Sequence, residues 1–310
     1  MKIHVFVFSR TNKVGAVTQK NLDLLSAAAI QRGHSLEVIY DSECQMRFSG
    51  KPELLLKNHD IAAIETLLVQ ANIPGRNIMY RSNVINQFEL LGVSVINKEA
   101  PVLRAKNKIK TLQILTRKHV PVPKTYVVNH AQYIDDVIDV VGPFPVILKA
   151  VSGSHGRGVS IIESKRGLKS IIEMFANEDD AEPLMVQEYV RESKGKDVRV
   201  FIVGKKIVGA MERIAQKRGE FRSNFHLGGR VRVASMSRKE KDVAFAAIKA
   251  CGLDFAGVDI LRTNSGPKVI EVNANPGLEG ITLATGRDIA GTIIDYAVKK
   301  AKRKKLEIEK

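Results

Sequence analysis

The sequence predicts an α/β protein of two or three compact lobes, and three observations carry that prediction. The 310 residues are too many for one small core. The first third alternates short apolar strands with helical stretches, and after Tyr126 the pattern shifts to strands joined by tight turns. Hydrophobic residues make up 44% and Gly and Pro are unremarkable, as in a soluble globular chain.

Ile3–Phe8 reads as a strand because Ile3, Val5 and Val7 alternate. Thr18–Arg32 reads as a helix, with Thr18 as N-cap and Gly33 as its stop. Leu36–Tyr40 is a second strand, and Asp60–Leu68 and Val93–Ile96 add others. This alternation argues a parallel, open sheet. No glycine-rich fingerprint follows the first strand, which excludes a dinucleotide site there. Lys98–Lys118 reads as a basic helix closed by the turn Val120–Pro123, and a new element starts at Tyr126–Val128. Pro145–Val151 and Val159–Glu163 read as strands, and Leu168–Ala176 as a helix. Leu184–Val190, Val198–Val203 and Ile207–Glu212 follow as strands, the last two joined at Gly204-Lys205. Arg238–Cys251 is a helix stopped by Gly252, Gly257–Leu261 and Lys268–Asn273 are strands, and Asp288–Lys300 is a closing helix.

Lysine and arginine number 49 against 33 acids, a net charge of +16. That balance favours an acidic partner: nucleotide phosphates, nucleic acid or a carboxylate-rich peptide. A basic surface without a single partner is the plainer alternative. Cys44 and Cys251 have no paired spacing, so neither a disulfide framework nor a zinc site is expected. The first ten residues lack the apolar region of a signal peptide, and no apolar run approaches the ~20 residues that span a bilayer. A cytoplasmic protein with no membrane contact is the expectation.

Four constellations carry chemistry. Val258-Asp259-Ile260 and Val269-Ile270-Glu271-Val272-Asn273 flank a turn. A hairpin symmetric about Ser265 sets Asp259 opposite Glu271, Val258 opposite Val272 and Ile260 opposite Ile270. Asp259, Glu271 and Asn273 then share one face as three oxygen ligands suited to Mg²⁺ or Mn²⁺. A solvent-facing polar strand reads similarly. Next, Ser152–Gly158 is a glycine-rich link between two strands, with Lys149 on the strand that enters it. It is neither a P-loop nor a dinucleotide loop, but its backbone N–H groups suit phosphate. A plain flexible hairpin reads the same. The other two, Gln187-Glu188-Tyr189 with Asp197 and Arg213 with Arg222-Ser223-Asn224, are ordinary strand and surface sequence when taken singly.

Together they are far more specific. Gln187-Glu188-Tyr189, Asp197-Val198-Arg199, Phe221-Arg222-Ser223-Asn224, Ala256–Leu261 and Glu271–Gly280 resemble the ribosomal-protein glutamate ligases, the RimK family of the ATP-grasp superfamily. The resemblance runs from about Glu99 to Ala297; Ala27–Val38 and Phe88–Gly92 also look like the family. Glu65–Met79 departs from it, since this chain has Glu65-Thr66-Leu67-Leu68 where the family places a Pro-Arg segment. That departure bears on substrate identity.

The resemblance implies an ATP-grasp fold behind an N-terminal open-sheet α/β pre-ATP-grasp domain, with domains 1–98, 99–186 and 187–310. It implies ATP and two Mg²⁺ or Mn²⁺ ions as cofactors. ATP phosphorylates a carboxylate, an amine attacks the acyl phosphate, and ADP and phosphate leave. By the same resemblance Lys108 and Lys149 contact phosphates beneath Gly153, Gly156 and Gly158. Glu188, Tyr189 and Val190 line the adenine pocket and Asp197 holds ribose. Asp259, Glu271 and Asn273 hold the ions. Arg213 and Arg222, with Ser223 and Asn224, face the γ-phosphate and the activated carboxylate. The implied partners are glutamate and an acidic protein or peptide acceptor, a ribosomal protein among them, and the implied state is a homo-oligomer, a tetramer. Competing readings are a glutamate ligase acting on a small cofactor or carrier protein, and a nucleotide-binding ribosome- or RNA-binding protein. The complete metal triad argues against the last.

Overall fold

This computed structural model describes residues 1–9, 11–70, 77–151, 158–176, 182–193, 195–216 and 229–308. The chain opens with β1 (Lys2–Val7), whose Ile3, Val5, Phe6 and Val7 are all buried. A strand apolar on both faces belongs at the centre of a covered parallel sheet. It pairs in parallel with β2 (Ser35–Tyr40) on one side and β5 (Thr66–Val69) on the other. β6 (Ser94–Ile96) extends the sheet beyond β5, so the predicted open parallel sheet is present.

The helix between β1 and β2 is α1 (Ala16–Gln31), which starts two residues before the predicted Thr18 cap. Gly15 is its N-cap and gives no side-chain hydrogen bond, so helix entry does not depend on a hydroxyl. Gly33 does end it, with φ +69°. Asp60–Leu68 is a strand only from Thr66; residues 61–63 form a 3₁₀ turn in which Asp60 accepts from the Ala62 N–H. The antiparallel hairpin β3 (Cys44–Phe48) and β4 (Pro52–Leu56), not foreseen, caps one sheet face through Cys44 and Leu54. There α2 (Ile78–Leu90) adds Val84, Ile85 and Phe88.

The predicted basic helix is two helices, α3 (Glu99–Lys106) and α4 (Lys108–Arg117). Asn107 ends one and caps the other: its backbone is extended (φ −90°, ψ 109°) and its side chain accepts from the Lys110 N–H. The next sheet is antiparallel: β7 (Thr125–Val128), β8 (Val146–Ala150), β9 (Val159–Ile162) and β10 (Leu184–Glu188), in the order β7-β10-β8-β9. Val146, Leu148, Leu184 and Val186 face a core with α5 (Ile134–Val141) and α6 (Lys165–Ala176). By alternation Lys149 and Gln187 point to the other face. Sequence reading missed α5.

The third sheet comprises β11 (Lys196–Val203), β12 (Lys206–Ile214), β13 (Arg230–Val233), β14 (Phe255–Thr263) and β15 (Gly266–Asn273), in the order β13-β12-β11-β14-β15. One face (Val198, Val200, Val258, Ile260, Val272) packs on α7 (Arg238–Cys251). This helix matches the prediction, held by a Ser237–Glu240 capping box and by Gly252 in the left-handed region. The other face sends Phe201, Met211 and Phe255 into a core shared with β1, α1 and the closing helix α9 (Ile289–Ile308). β13 and α8 (Glu279–Thr285) were also unforeseen. Among the described residues no helix is long and apolar enough to cross a membrane.

The lobes are joined by directional bonds as well as by that core. Asn97, fully buried after β6, donates to the Phe255 and Ala274 carbonyls at 2.8 and 2.9 Å. Its Oδ1 accepts from the Asp254 and Phe255 N–H groups at 2.7 and 3.0 Å. Arg32 adds ion pairs to Asp288 and Asp295 at 2.7 and 2.8 Å.

One buried amide thus satisfies four backbone groups, each costing roughly 1–3 kcal/mol if left alone. Asn97→Ala is expected to lower stability by about 3 kcal/mol or more in urea unfolding. A loss below about 0.5 kcal/mol, the level of a neutral surface change, would show that the joint does not depend on it.

Candidate active site

The site is built on the face of the third sheet that carries Phe201, at its polar end. In β11, Asp197 and Arg199 are two residues apart and share that face. Cross-strand register sets Asp197 beside Arg213 of β12, Arg199 beside Asp259 of β14, and Asp259 beside Glu271 of β15. The predicted Asp259–Glu271 and Val258–Val272 pairs are therefore found. Ile260, however, lies opposite Val269 and not Ile270. A bulge inserts Ile270 as the extra residue, which leaves Val269 and Val272 buried while Glu271 stays exposed on the site face.

The charges alternate across these strands. Arg213 Nε and Nη2 donate to the two oxygens of Asp197 at 2.6 and 2.7 Å, and Nη2 also donates to Asp259 Oδ2 at 2.8 Å. Arg199 binds both Asp259 oxygens, at 2.6 and 2.7 Å. Asp259 is 1% exposed and Arg213 3%, which rules out a solvent-facing strand at these positions. Burial would raise the Asp259 carboxyl, but Arg199 and Arg213 outweigh it and hold it below the ordinary carboxylate range. Burial would likewise lower Arg213, yet Asp259 and Asp197 raise it. Two planar guanidiniums clamp both acids bidentately, and for Asp259 this keeps the carboxylate ionised.

At the edge of this row, Asn273 Oδ1 lies 3.1 Å from Glu271 Oε1, acceptor against acceptor, with Nδ2 3.0 Å from Arg199 Nη2. Rotating the amide turns both contacts into hydrogen bonds. Two carboxylates and an amide oxygen are a hard donor set, and they fit Mg²⁺.

Three lysines face these acids from the other side. Lys149 Nζ donates to Gln187 Oε1 at 2.7 Å, and Gln187 in turn donates to Thr125. Burial pushes Lys149 down to about 8; Glu271 opposes the shift and Lys108 adds to it. Lys108 begins α4 and donates to the Val151 carbonyl at 3.2 Å. Burial also lowers Lys108 and Lys106, against the pull of Glu271 on each. Lys106 was missed in the sequence because a continuous helix turns residues 106 and 108 apart, whereas the break at Asn107 lets both respond to Glu271. Arg199 was read only as part of a motif. Its spacing of two from Asp197 was the available signal.

Glu188 ends β10; its Oε1 accepts from the Lys124 N–H at 3.0 Å and from Lys268 Nζ of β15, linking the second and third sheets. Tyr189 is half-buried and Val190 buried in the segment that follows. Asp197 is committed to Arg213 through both oxygens, although a carboxylate has further acceptor capacity. Gly158 has φ +71°, and a Cβ there would meet Ala150 at 3.2 Å, so the position needs glycine. Gly153, Gly156, Arg222, Ser223 and Asn224 lie outside the described residues.

Comparison with known proteins identifies the family. The family model for the RimK-like ATP-grasp domain matches residues 105–297, and that for the RimK PreATP-grasp domain matches residues 3–102. A protein of Vibrio parahaemolyticus named probable alpha-L-glutamate ligase is 39% identical over 93% of this chain and 96% of its own length. One of Shewanella amazonensis, probable alpha-L-glutamate ligase 1, is 41% identical over 90% of this chain and 92% of its own. Among solved structures, the ATP-grasp ligase PsnB superposes with a TM-score of 0.73 at 20% identity, covering 96% of this chain and 97% of that one. D-alanine–D-alanine ligase from Bacillus anthracis gives 0.68 at 18% identity over 99% of both chains. Both share the ATP-grasp fold. The chain belongs to the RimK family of ATP-grasp ligases.

Proposed function

We propose that this ATP-dependent ligase adds L-glutamate to the C-terminus of a protein or peptide through an acyl phosphate, releasing ADP and phosphate. The observation that carries the chemistry is that Glu271, beside Asp259 and Asn273, interacts with Lys149 of the second sheet and with Lys106 and Lys108 at the break between α3 and α4. Such a site has oxygens for cations and cations for phosphates. The names of relatives at 39–41% identity support glutamate as the amino acid.

In this reading Asp259, Glu271 and Asn273 would hold two ions, Mg²⁺ or Mn²⁺. Bound there, the ions disperse charge on the transferring phosphoryl group. Arg213 and Arg199 fix the Asp259 carboxylate in its ionised form and orient it. Lys149 and Lys108 meet the phosphates as point charges. The turn Glu188-Tyr189-Val190 borders adenine, Asp197 the ribose, and Arg222-Ser223-Asn224 the γ-phosphate and the activated carboxylate. The parts 1–98, 99–186 and 187–310 act as separate domains around this cleft. The basic balance of +16 favours an acidic acceptor, a ribosomal protein or a growing poly-glutamate tail. The protein works in the cytoplasm as a homo-oligomer, a tetramer.

The test is ADP release with Mg²⁺ and each amino acid in turn, read beside product mass with and without ribosomal protein. Glutamate should support turnover and add glutamyl residues, and Glu271→Gln should abolish it in a protein with unchanged circular dichroism. Release with lysine or alanine but none with glutamate would remove the glutamate assignment. Normal turnover of Glu271→Gln would remove the ion assignment.

Lys149 gives the site a pH dependence. Its ammonium, pushed down to about 8, is charged at pH 7 and discharges above that value. Calorimetric ATP affinity should therefore fall as pH rises from about 7 to about 9, by part of the ~1.5–3 kcal/mol of a charge-assisted contact. Lys149→Ala should bind more weakly at pH 7 and lose that pH-dependent fall. A variant that retains the wild-type profile would place another group at the phosphates.

A further inference from the structure

On the N-terminal lobe, away from the carboxylate row, the parallel register of β1 and β2 sets His4 beside Glu37. His59, in the segment that follows β4, joins them from outside the sheet. One carboxylate oxygen faces both imidazoles: Glu37 Oε2 is 3.6 Å from His4 Nε2 and 3.5 Å from His59 Nδ1. The other oxygen is held by Lys2 Nζ at 2.7 Å. The two rings meet edge to face with centroids 5.8 Å apart, and the three ligand atoms lie within 4.8 Å of one another.

Those separations are too long for well-formed hydrogen bonds, which for N–H···O run about 2.7–3.2 Å. They are near the ~3.3 Å between two ligands of a tetrahedral ion with bonds of about 2.05 Å. His4 is 2% exposed, and its Nδ1 has no hydrogen-bond partner among the described residues. Among the described residues the buried ring therefore has Glu37 at Nε2 and no partner at Nδ1.

We propose that His4, Glu37 and His59 form a binding site for one divalent transition ion of zinc chemistry. Two imidazoles and one carboxylate make a three-ligand set that leaves a fourth position for water. Glu37 is 38% exposed, so that position opens to solvent. Reaching bonding distance requires the half-buried His59 side chain to move towards His4 and Glu37. Once bound, the ion fastens the segment around His59 to the β1–β2 edge. The site discriminates against Mg²⁺, which takes all-oxygen octahedra such as that offered by Asp259, Glu271 and Asn273. The two sites therefore take different metals in one chain.

The test is titration of the untagged, chelator-treated protein with Co²⁺ in excess Mg²⁺, followed by its visible absorption. One equivalent should give the intense band of tetrahedral Co²⁺, and one equivalent of Zn²⁺ should displace it. His59→Ala and Glu37→Gln should each weaken this binding ten-fold or more while keeping wild-type circular dichroism and Mg²⁺-dependent turnover. Absence of the band in the wild-type protein would overturn the proposal and leave a carboxylate-bridged histidine pair without an ion. So would a band of equal affinity in both variants, which would place the Co²⁺ elsewhere.

Discussion

Two buried carboxylates and two guanidiniums alternating across adjacent strands are the constraint on which this active site rests. Asp197, Arg213, Asp259 and Arg199 form one hydrogen-bonded chain on a single sheet face. None of the four could be buried singly at reasonable cost. Removing one partner of a buried pair typically costs about 3–5 kcal/mol, because a charge is stranded. The row is therefore retained or lost as a unit, and its geometry follows from register alone. What it provides is an ionised Asp259 at a fixed place beside Glu271 and Asn273.

The fold brings cations to that place from a different sheet. Lys149 stands on the face of β8 opposite the apolar core of its lobe, so strand alternation aims it outward. Lys106 and Lys108 flank the helix break at Asn107. Burial lowers all three lysines, and Glu271 opposes the shift in each. Such mutual compensation keeps a half-buried charged cleft stable and suits it to a polyanionic ligand with bound cations. The Asn97 hydrogen bonds and the shared Phe201–Phe255–Ile293 core join the N-terminal lobe to the sheet that carries the acids.

Much of this was legible in the sequence where one periodicity governed one element. Ile3, Val5 and Val7 marked the central strand, and the helix read over Arg238–Cys251 with Gly252 as its stop is α7. Asp259 and Glu271 were paired rightly because the extra residue Ile270 offsets a turn that sets Thr263 opposite Gly266 rather than symmetric about Ser265. Errors arose where a single residue broke the period. Asn107 split one helical pattern into two helices, and the turn at Asn264-Ser265 set Ile260 against Val269, one step from the symmetric hairpin, until the Ile270 bulge restored the register. The hairpin Cys44–Leu56 escaped notice because its burial comes from packing on α2 and the sheet rather than from alternation. Arg213 was expected at the site, but its bond to both Asp197 and Asp259 was not legible, since that depends on strand order β12-β11-β14. Lys2, His4, Glu37 and His59 carried no motif and meet only through the parallel pairing of β1 with β2 and the fold-back after β4.

The central claim is that the Asp259–Glu271–Asn273 face, Lys149 of the second sheet and the lysines beside Asn107 together form the site for a metal-bound nucleotide. It is tested most directly by a crystal structure with Mn²⁺ and a non-hydrolysable ATP analogue, read by the anomalous signal of the metal. The account predicts a peak within about 2.2 Å of oxygens from all three residues, with phosphates in hydrogen-bond reach of Lys149. A peak away from Glu271, or phosphates bound beyond the reach of Lys149, would contradict it.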